Sequence, residues 1–383
     1  MKRCYLCAVF LAFCSAHAGL PPLVPREILF ANPARTDPKV SPDGSQLSWK
    51  REAPGFIDLV SRDNSDRTWI VAIRQSDAPG KFYTFNRDTK KLTPLFDENP
   101  ELAKFKLAAK QPVVIKARDG LELVSYLTTP VGIEPKKLPM VLLIHGGPWD
   151  RDSNDYDQEV QFLANRAYAV LQVNYRGSTG FGIKFLNAGN LQVGLGTMED
   201  LFDAARWAVD QGIADPKKLA AMGGSGGGFA TLRALEMRPD LFACGVDEFG
   251  PADEGMGLRL FPKYWSNIVA RWRRREGDVD HDENWNRKIS PLYHTDAIRA
   301  PLLIGQGKND PRVTIENADA MVAALRKAKR EVTYVVYADE GHGFARSENQ
   351  FDFYGRVEEF LAKHLSGRAE PWKKIAGSTA ELR

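Results

Sequence analysis

The sequence predicts an α/β protein: a doubly wound, mostly parallel sheet preceded by a shorter β-rich segment. Three observations carry this. Downstream of Leu107, short apolar runs alternate with stretches of helical periodicity. A glycine nest, Met222-Gly-Gly-Ser-Gly-Gly-Gly-Phe229, stands where one such run turns into a helix. Asp310 and His342 each follow a later apolar run. Late strands separated by helices pair in parallel, and such sheets carry their sites at the strand carboxyl ends.

In chain order, residues 1–18 read as an export signal. Lys2-Arg3 supplies the basic start, Cys4–Phe13 the apolar stretch, and Ala16-His17-Ala18 the small-x-small cleavage site. The apolar stretch is too short to span a bilayer, and bulky Phe13 before Cys14 argues against a lipid anchor. Cleavage near Ala18 predicts an exported, periplasmic or secreted protein without stable membrane insertion. It leaves Cys244 alone, so no intramolecular disulfide is expected. Residues 19–107 hold strand and turn signals, with a hairpin at Val40–Trp49 turning on Pro42-Asp43-Gly44. Phe82–Phe85 and Lys91–Phe96 read as two strands joined by Asn86–Lys90.

In residues 108–371, strands are expected at Pro112–Ala117, Leu121–Thr128, Pro139–Ile144, Tyr168–Asn174, Leu219–Met222, Gly245–Glu248, Leu302–Gly305 and Val332–Tyr337. Helices fit Asp157–Arg166, Met198–Asp210, Gly227–Arg238, Tyr264–Arg274, Ile315–Lys327 and Gln350–His364. Residues 372–383 read as a C-terminal tail. At 383 residues and 43% hydrophobic content the chain can bury a large core. The formal charge of +3 includes Lys2 and Arg3, so the remainder is near neutral and no nucleic-acid partner is implied. Arg271-Trp-Arg-Arg-Arg275 is followed at once by Asp278, Asp280, Asp282 and Glu283, which reads as a solvated mixed-charge surface. No cofactor or metal motif is present.

The glycine nest is a Gly-x-Ser-x-Gly turn, which holds Ser225 exposed in a strained conformation and aims the Gly226 N–H at a developing oxyanion. The sequence offers six histidines as bases, and His342, in a glycine-flanked loop after Val332–Tyr337, is the one matched by an upstream strand-end acid, Asp310. Singly, these are a turn, a helix N-cap and a loop histidine. Together, the order Ser225, Asp310, His342 is that of the α/β-hydrolase fold. Ser225 would attack, His342 would carry the proton and Asp310 would orient the imidazole. The loop His145-Gly-Gly-Pro-Trp149 supplies the second oxyanion-hole amide, assigned to Gly147, with His145 read as a structural hydrogen-bonder. Trp149, Tyr264 and Trp265 are candidates for the substrate pocket or, equally, for the core. Arg151 and Arg176 read as structural ion-pairing residues, and Cys244 as a small core residue.

From about residue 80 to 371 the chain resembles the prolyl oligopeptidase family of serine peptidases, in its acylaminoacyl-peptidase and dipeptidyl-aminopeptidase-like branch. The matching stretches are His145-Gly-Gly-Pro148, Val173–Gly182, Gly223-Gly-Ser-Gly-Gly-Gly228, Val246–Pro251, Ser290-Pro-Leu292, Asp310-Pro-Arg-Val313 and Gly341-His-Gly-Phe344. The resemblance implies a serine peptidase acting on short peptides through an acyl-enzyme, with a β-propeller before the catalytic domain. The family's usual tyrosine after the nucleophile is Gly226 here. Residues 19–107 allow at most two propeller blades, so an incomplete propeller remnant is expected, with its junction in Asp66–Lys81. No residue matches the acidic clamp by which the family's propeller holds a substrate amine. An open site of weak selectivity follows, taking short peptides, acyl peptides or small esters, with a second copy of the chain as one means of covering the exposed face. The alternative readings are a carboxylesterase with the same triad and a non-catalytic remnant that binds without turnover.

Overall fold

The structure, a computed structural model, describes residues 21–30, 56–261 and 263–383. The export signal at 1–18 and the hairpin at Val40–Trp49 lie outside the described residues. Two sheets carry the architecture. The first is antiparallel, with strands β1 (Phe56–Arg62), β2 (Thr68–Arg74), β3 (Lys81–Asn86) and β4 (Leu92–Asp97) in that order. This four-stranded meander fits one propeller blade. It corrects the expected junction: Asp66–Lys81 holds β2, which pairs with β1 on one side and β3 on the other. Its side chains divide between two faces, Trp69 and Val71 packing with Phe85, and Ile70 and Ala72 with Phe82. A central strand buried on both faces reads as a continuous apolar run, so the alternation of a half-exposed strand is missing.

The second sheet has nine strands: β5 (Lys110–Lys116), β6 (Glu122–Thr128), β7 (Leu138–Ile144), β8 (Ala169–Val173), β9 (Ala214–Gly224), β10 (Cys244–Glu248), β11 (Leu302–Gly307), β12 (Val332–Tyr337) and β13 (Ala380–Leu382). Their spatial order is β13-β12-β11-β10-β9-β7-β8-β6-β5, parallel from β8 through β12. Chain order reverses at β7: β8 lies on one side of it and β9 on the other. This is the switch point at which open α/β sheets leave a crevice. The tail is part of this sheet, since Ala380–Leu382 pairs antiparallel with Val335–Tyr337.

Alternating side chains of the central strands feed two cores. Leu142, Leu171, Ala221, Ile304 and Val336 face one layer, while Val141, Leu143, Val170, Ala220 and Leu303 face the other. The first layer receives α4 (Gly196–Asp210), α5 (Gly226–Met237) and α9 (Ile315–Lys327) through Leu201, Leu232 and Met321. The second receives α1 (Arg26–Leu29), α2 (Gln158–Asn165) and α10 (Ser347–Leu365) through Leu29, Phe162 and Phe353. Helix α2 is capped by Asp157, which accepts from the Glu159 and Val160 amides. Four further helices complete the set: α3 (Ile183–Ala188), whose Phe185 joins the first core, and α6 (Glu254–Leu260), α7 (Ser266–Glu276) and α8 (Glu283–Ile289), which meet around a small core of Leu258, Val279 and Ile289.

A buried ionic knot ties the first described residues to this domain. Arg26 and Arg166, both without exposure, share the carboxylate of Glu358, with Arg166 Nε 2.8 Å from Oε1 and Arg26 on the other oxygen. Arg166 also donates to the Val24 carbonyl at 2.7 Å, and Val24 N–H donates to Asn165 at 2.9 Å. Removing one partner of a buried pair leaves an uncompensated charge, which costs far more than the pair itself contributes. Glu358→Gln should therefore lower unfolding stability by about 3–5 kcal/mol in urea titrations. Lys363→Ala, which breaks the exposed Lys363–Glu331 pair, should barely move the midpoint.

Candidate active site

Ser225 sits between β9 and α5 with φ +55° and ψ −120°, a left-handed conformation that a serine rarely adopts. Its N–H donates to the Glu248 carbonyl at 2.8 Å, so the strained residue is pinned to the end of β10. Close backbone approach makes the turn possible. A Cβ on Gly227 would stand 2.0 Å from the Ile144 carbonyl oxygen, and one on Gly228 2.2 Å from Asp247 Oδ1. Any side chain there would push α5 off the sheet.

The sequence-predicted partners converge on this serine. His342 Nε2 lies 2.8 Å from Ser225 Oγ, and His342 Nδ1 lies 2.7 Å from Asp310 Oδ2. The other Asp310 oxygen accepts the Arg312 and Val313 amides at 2.8 and 3.0 Å. The carboxylate is thereby fixed in one orientation, so Nδ1 donates to Asp310 and Nε2 is left facing the serine hydroxyl. Phe249 closes one edge of the imidazole, ring centres 5.0 Å apart.

A further brace was not read from the sequence. Glu340, buried at 2% exposure, accepts the Ala345 and Arg346 amides at 2.9 Å and the Asn349 side chain at 2.7 Å. Those bonds fold the His342 loop back onto α10. Its position two residues before the histidine was the available signal, but an acid in a glycine loop has many ordinary readings.

Gly147 and Gly226 are adjacent across the site, since a Cβ on Gly226 would come 3.1 Å from Gly147 N. The Gly226 N–H belongs to the first turn of α5, where a helix offers no partner, and the Gly147 N–H makes no hydrogen bond among the described residues. Both amides border the same cavity as Ser225 and His342, a space of about 570 Å³. This arrangement is that of an oxyanion hole. His145 stands behind it, stacked on Tyr175, with Nδ1 2.9 Å from the Gly146 carbonyl and Nε2 2.9 Å from the Ser178 hydroxyl. The residue reaches the cavity surface, yet both ring nitrogens face protein, and burial pushes the imidazole down to about 4. It is a neutral strut under the Gly146–Gly147 turn.

The three aromatic candidates do not line this cavity. Trp149 is buried against Trp272, ring centres 4.8 Å apart, with Arg271 over its face. Tyr264 is 81% exposed, and Trp265 packs on Phe261 at 5.1 Å. The apolar wall is built instead from Phe229, Phe249, Leu258, Phe261 and Trp272. Trp149 leaves the loop on its outer side, and the turn carrying Tyr264 and Trp265 precedes α7 on the solvent face. Arg176 is engaged by Asp200 at 2.7 Å and Asp119 at 2.9 Å, while Arg151 lies over Phe181. Cys244 is a free buried thiol that burial pushes up to about 12.

Fold and site together define an α/β-hydrolase bearing a Ser–His–Asp arrangement at its switch point. A family model described as the prolyl oligopeptidase family matches residues 154–368, and the chain belongs to that family. It is 45% identical to dipeptidyl aminopeptidase BIII of Pseudoxanthomonas mexicana, covering 90% of this chain and 51% of that protein. With dipeptidyl peptidase family member 6 of Caenorhabditis elegans it shares 36% identity over 83% of this chain and 46% of the relative. The solved structure of a Mycobacterium tuberculosis puromycin-hydrolyzing peptidase superposes with a TM-score of 0.74 at 28% identity, covering 82% of this chain and 47% of the other. The chain thus spans about half the length of the curated relatives it matches.

Two predictions follow from the site. Gly227→Ala should destabilise the protein by about 1–3 kcal/mol or more, since backbone must move to admit the methyl group. Gly257→Ala, where nothing lies within 4 Å, should not, and thermal unfolding of both variants checks this. Unfolded, the His145 imidazole takes a proton near 6.5; folded, it does so near 4. The unfolded chain binds more protons between those values, so stability should fall as pH drops through that window. His145→Gln should lose less stability than wild type between pH 7 and pH 5 in urea unfolding.

Proposed function

We propose that this chain is a serine peptidase that hydrolyses peptide bonds of short peptides through Ser225, His342 and Asp310. The observation that carries the reading is His342 bridging Ser225 Oγ and Asp310 Oδ2 at 2.8 and 2.7 Å. In the acylation step His342 Nε2 takes the serine proton as Oγ bonds to the scissile carbonyl carbon. The carbonyl oxygen becomes an oxyanion between the Gly147 and Gly226 amides. Collapse breaks the C–N bond, and His342 returns the proton to the departing amine. Water then repeats the sequence on the acyl-enzyme, with His342 as base, and frees Ser225. Likeness to a dipeptidyl aminopeptidase favours peptides over esters as substrates. The reading includes export after cleavage near Ala18, supported by the basic, apolar and small-residue order of the first residues.

The test is labelling with a fluorophosphonate followed by peptide mapping. Label should fall on Ser225 and vanish in Ser225→Ala, with kcat/KM on dipeptidyl anilides dropping at least about 10³-fold. Asp310→Asn should keep the fold but lose about 10⁴-fold in kcat, because the imidazole is then held in the wrong tautomer. Cleavage of p-nitrophenyl esters without any anilide hydrolysis would identify a carboxylesterase, and absence of labelling a non-catalytic protein.

A further inference from the structure

The cavity beside Ser225 has a second feature that the triad does not use. Glu254, on α6, and Glu276, the last residue of α7, both border it. They are 8% and 1% exposed, and neither enters an ion pair among the described residues. Neither carboxylate oxygen of Glu276 has a hydrogen-bond partner of ordinary geometry. The Trp272 side chain alone partly offsets the effect of burial, which still raises Glu276 to about 8. Burial raises Glu254 also, and the nearness of Glu276 adds to it.

Arg271, Arg273 and Arg275 of α7 are committed elsewhere, and the one arginine that borders the cavity among the described residues, Arg312, follows Asp310 on the loop after β11 and pairs with neither glutamate. Arg273 pairs with Asp280, Arg275 donates to Asn190, and Arg271 and Arg275 lie over Trp149. Buried carboxyl groups are ordinarily paired or hydrogen-bonded, and two bordering the apolar end of the cavity without a partner are costly to keep. The walls leading to them are Leu258, Phe261 and Trp272. A methylene stem between apolar walls, ending in a cation among carboxylates, is the form of a lysine or arginine side chain.

We propose that Glu254 and Glu276 form a cation site in the pocket of Ser225, and that this site selects a lysine or arginine on the acyl side of the scissile bond. The proposal rests on the peptidase reading for its substrate but not for the site itself. A neutral side chain of the same shape leaves both carboxyl groups unpaired, which is the kind of mismatch that discriminates strongly.

The test pairs a catalytic readout with a binding one. Dipeptidyl anilides ending in arginine or in isosteric, uncharged citrulline are compared on the wild-type protein, on Glu276→Gln and on Glu254→Gln. Binding of butylguanidine and butylurea to the inactive Ser225→Ala protein is measured by calorimetry. The arginine-to-citrulline ratio of kcat/KM should be at least about tenfold in wild type and fall towards unity in either variant. Butylguanidine should bind at least about tenfold tighter than butylurea, and Glu276→Gln in the same background should abolish the difference. Equal cleavage of the two substrates with equal binding of the two probes would overturn the cation site, leaving two carboxyl groups that share a proton. A butylguanidine preference without any cleavage would keep the site and reject the peptidase reading. Cleavage without either preference would do the reverse.

Discussion

The fold of the site depends on how closely α5 can approach the ends of β7 and β10. The Ile144 carbonyl and the Asp247 carboxyl occupy the space where side chains of residues 227 and 228 would stand, so glycine there fixes the helix against the sheet. That contact bends the chain at Ser225 into positive φ and raises its hydroxyl over the strand ends. It also brings the first-turn amide of α5 beside the Gly147 amide. Strain at one residue, of about 1–3 kcal/mol, is held in place by two parallel strand pairings, Ile144 with Gly223 and Glu248 with Gly224.

The remaining parts of the site follow from sheet register. Strands β10, β11 and β12 run parallel in sequence order, so loops leaving β11 and β12 emerge on the edge where Ser225 lies. Asp310 and His342 sit on those loops, each anchored by backbone amides: those of residues 312 and 313 to Asp310, those of residues 345 and 346 to Glu340. Substrate-selecting surface has a different origin. Segments α6, α7 and α8 are inserted between β10 and β11, outside the layered core, and they bring the Glu254–Glu276 pair and most of the apolar wall. Chemistry is therefore carried by the rigid sheet, and selectivity by an insertion that can vary without disturbing it.

How much of this the sequence reveals depends on the range of the interaction. Strands such as Val332–Tyr337 and helices such as Ile315–Lys327 are legible because burial of one face imposes a period on local residues. Ser225, Asp310 and His342 are legible because each falls at the end of a readable strand and their order is restricted. What escapes has no local period. Arg26 meets Glu358 across most of the chain, and β13 is three residues paired on a single edge. Helices α6 and α8, seven residues each, are too short to show an apolar stripe. Trp149, Tyr264 and Trp265 mislead because aromatic character reports burial without its direction, and the turn before α7 leaves Tyr264 in solvent and packs Trp265 on Phe261. The acidic pair is hidden for the opposite reason: Glu276 ends the charged run after Arg271 and Glu254 follows Asp253 beside glycine, so both read as surface until the fold buries them.

Catalysis at this site requires Ser225 to be held by its turn so that the oxygen of an attacked carbonyl falls between two backbone amides. A crystal structure of the phosphonylated protein tests this directly. The adduct should be on Ser225 Oγ, with one phosphoryl oxygen about 2.7–3.1 Å from both the Gly147 and Gly226 nitrogens. An adduct on another residue, or a phosphoryl oxygen turned to solvent away from both amides, would contradict it.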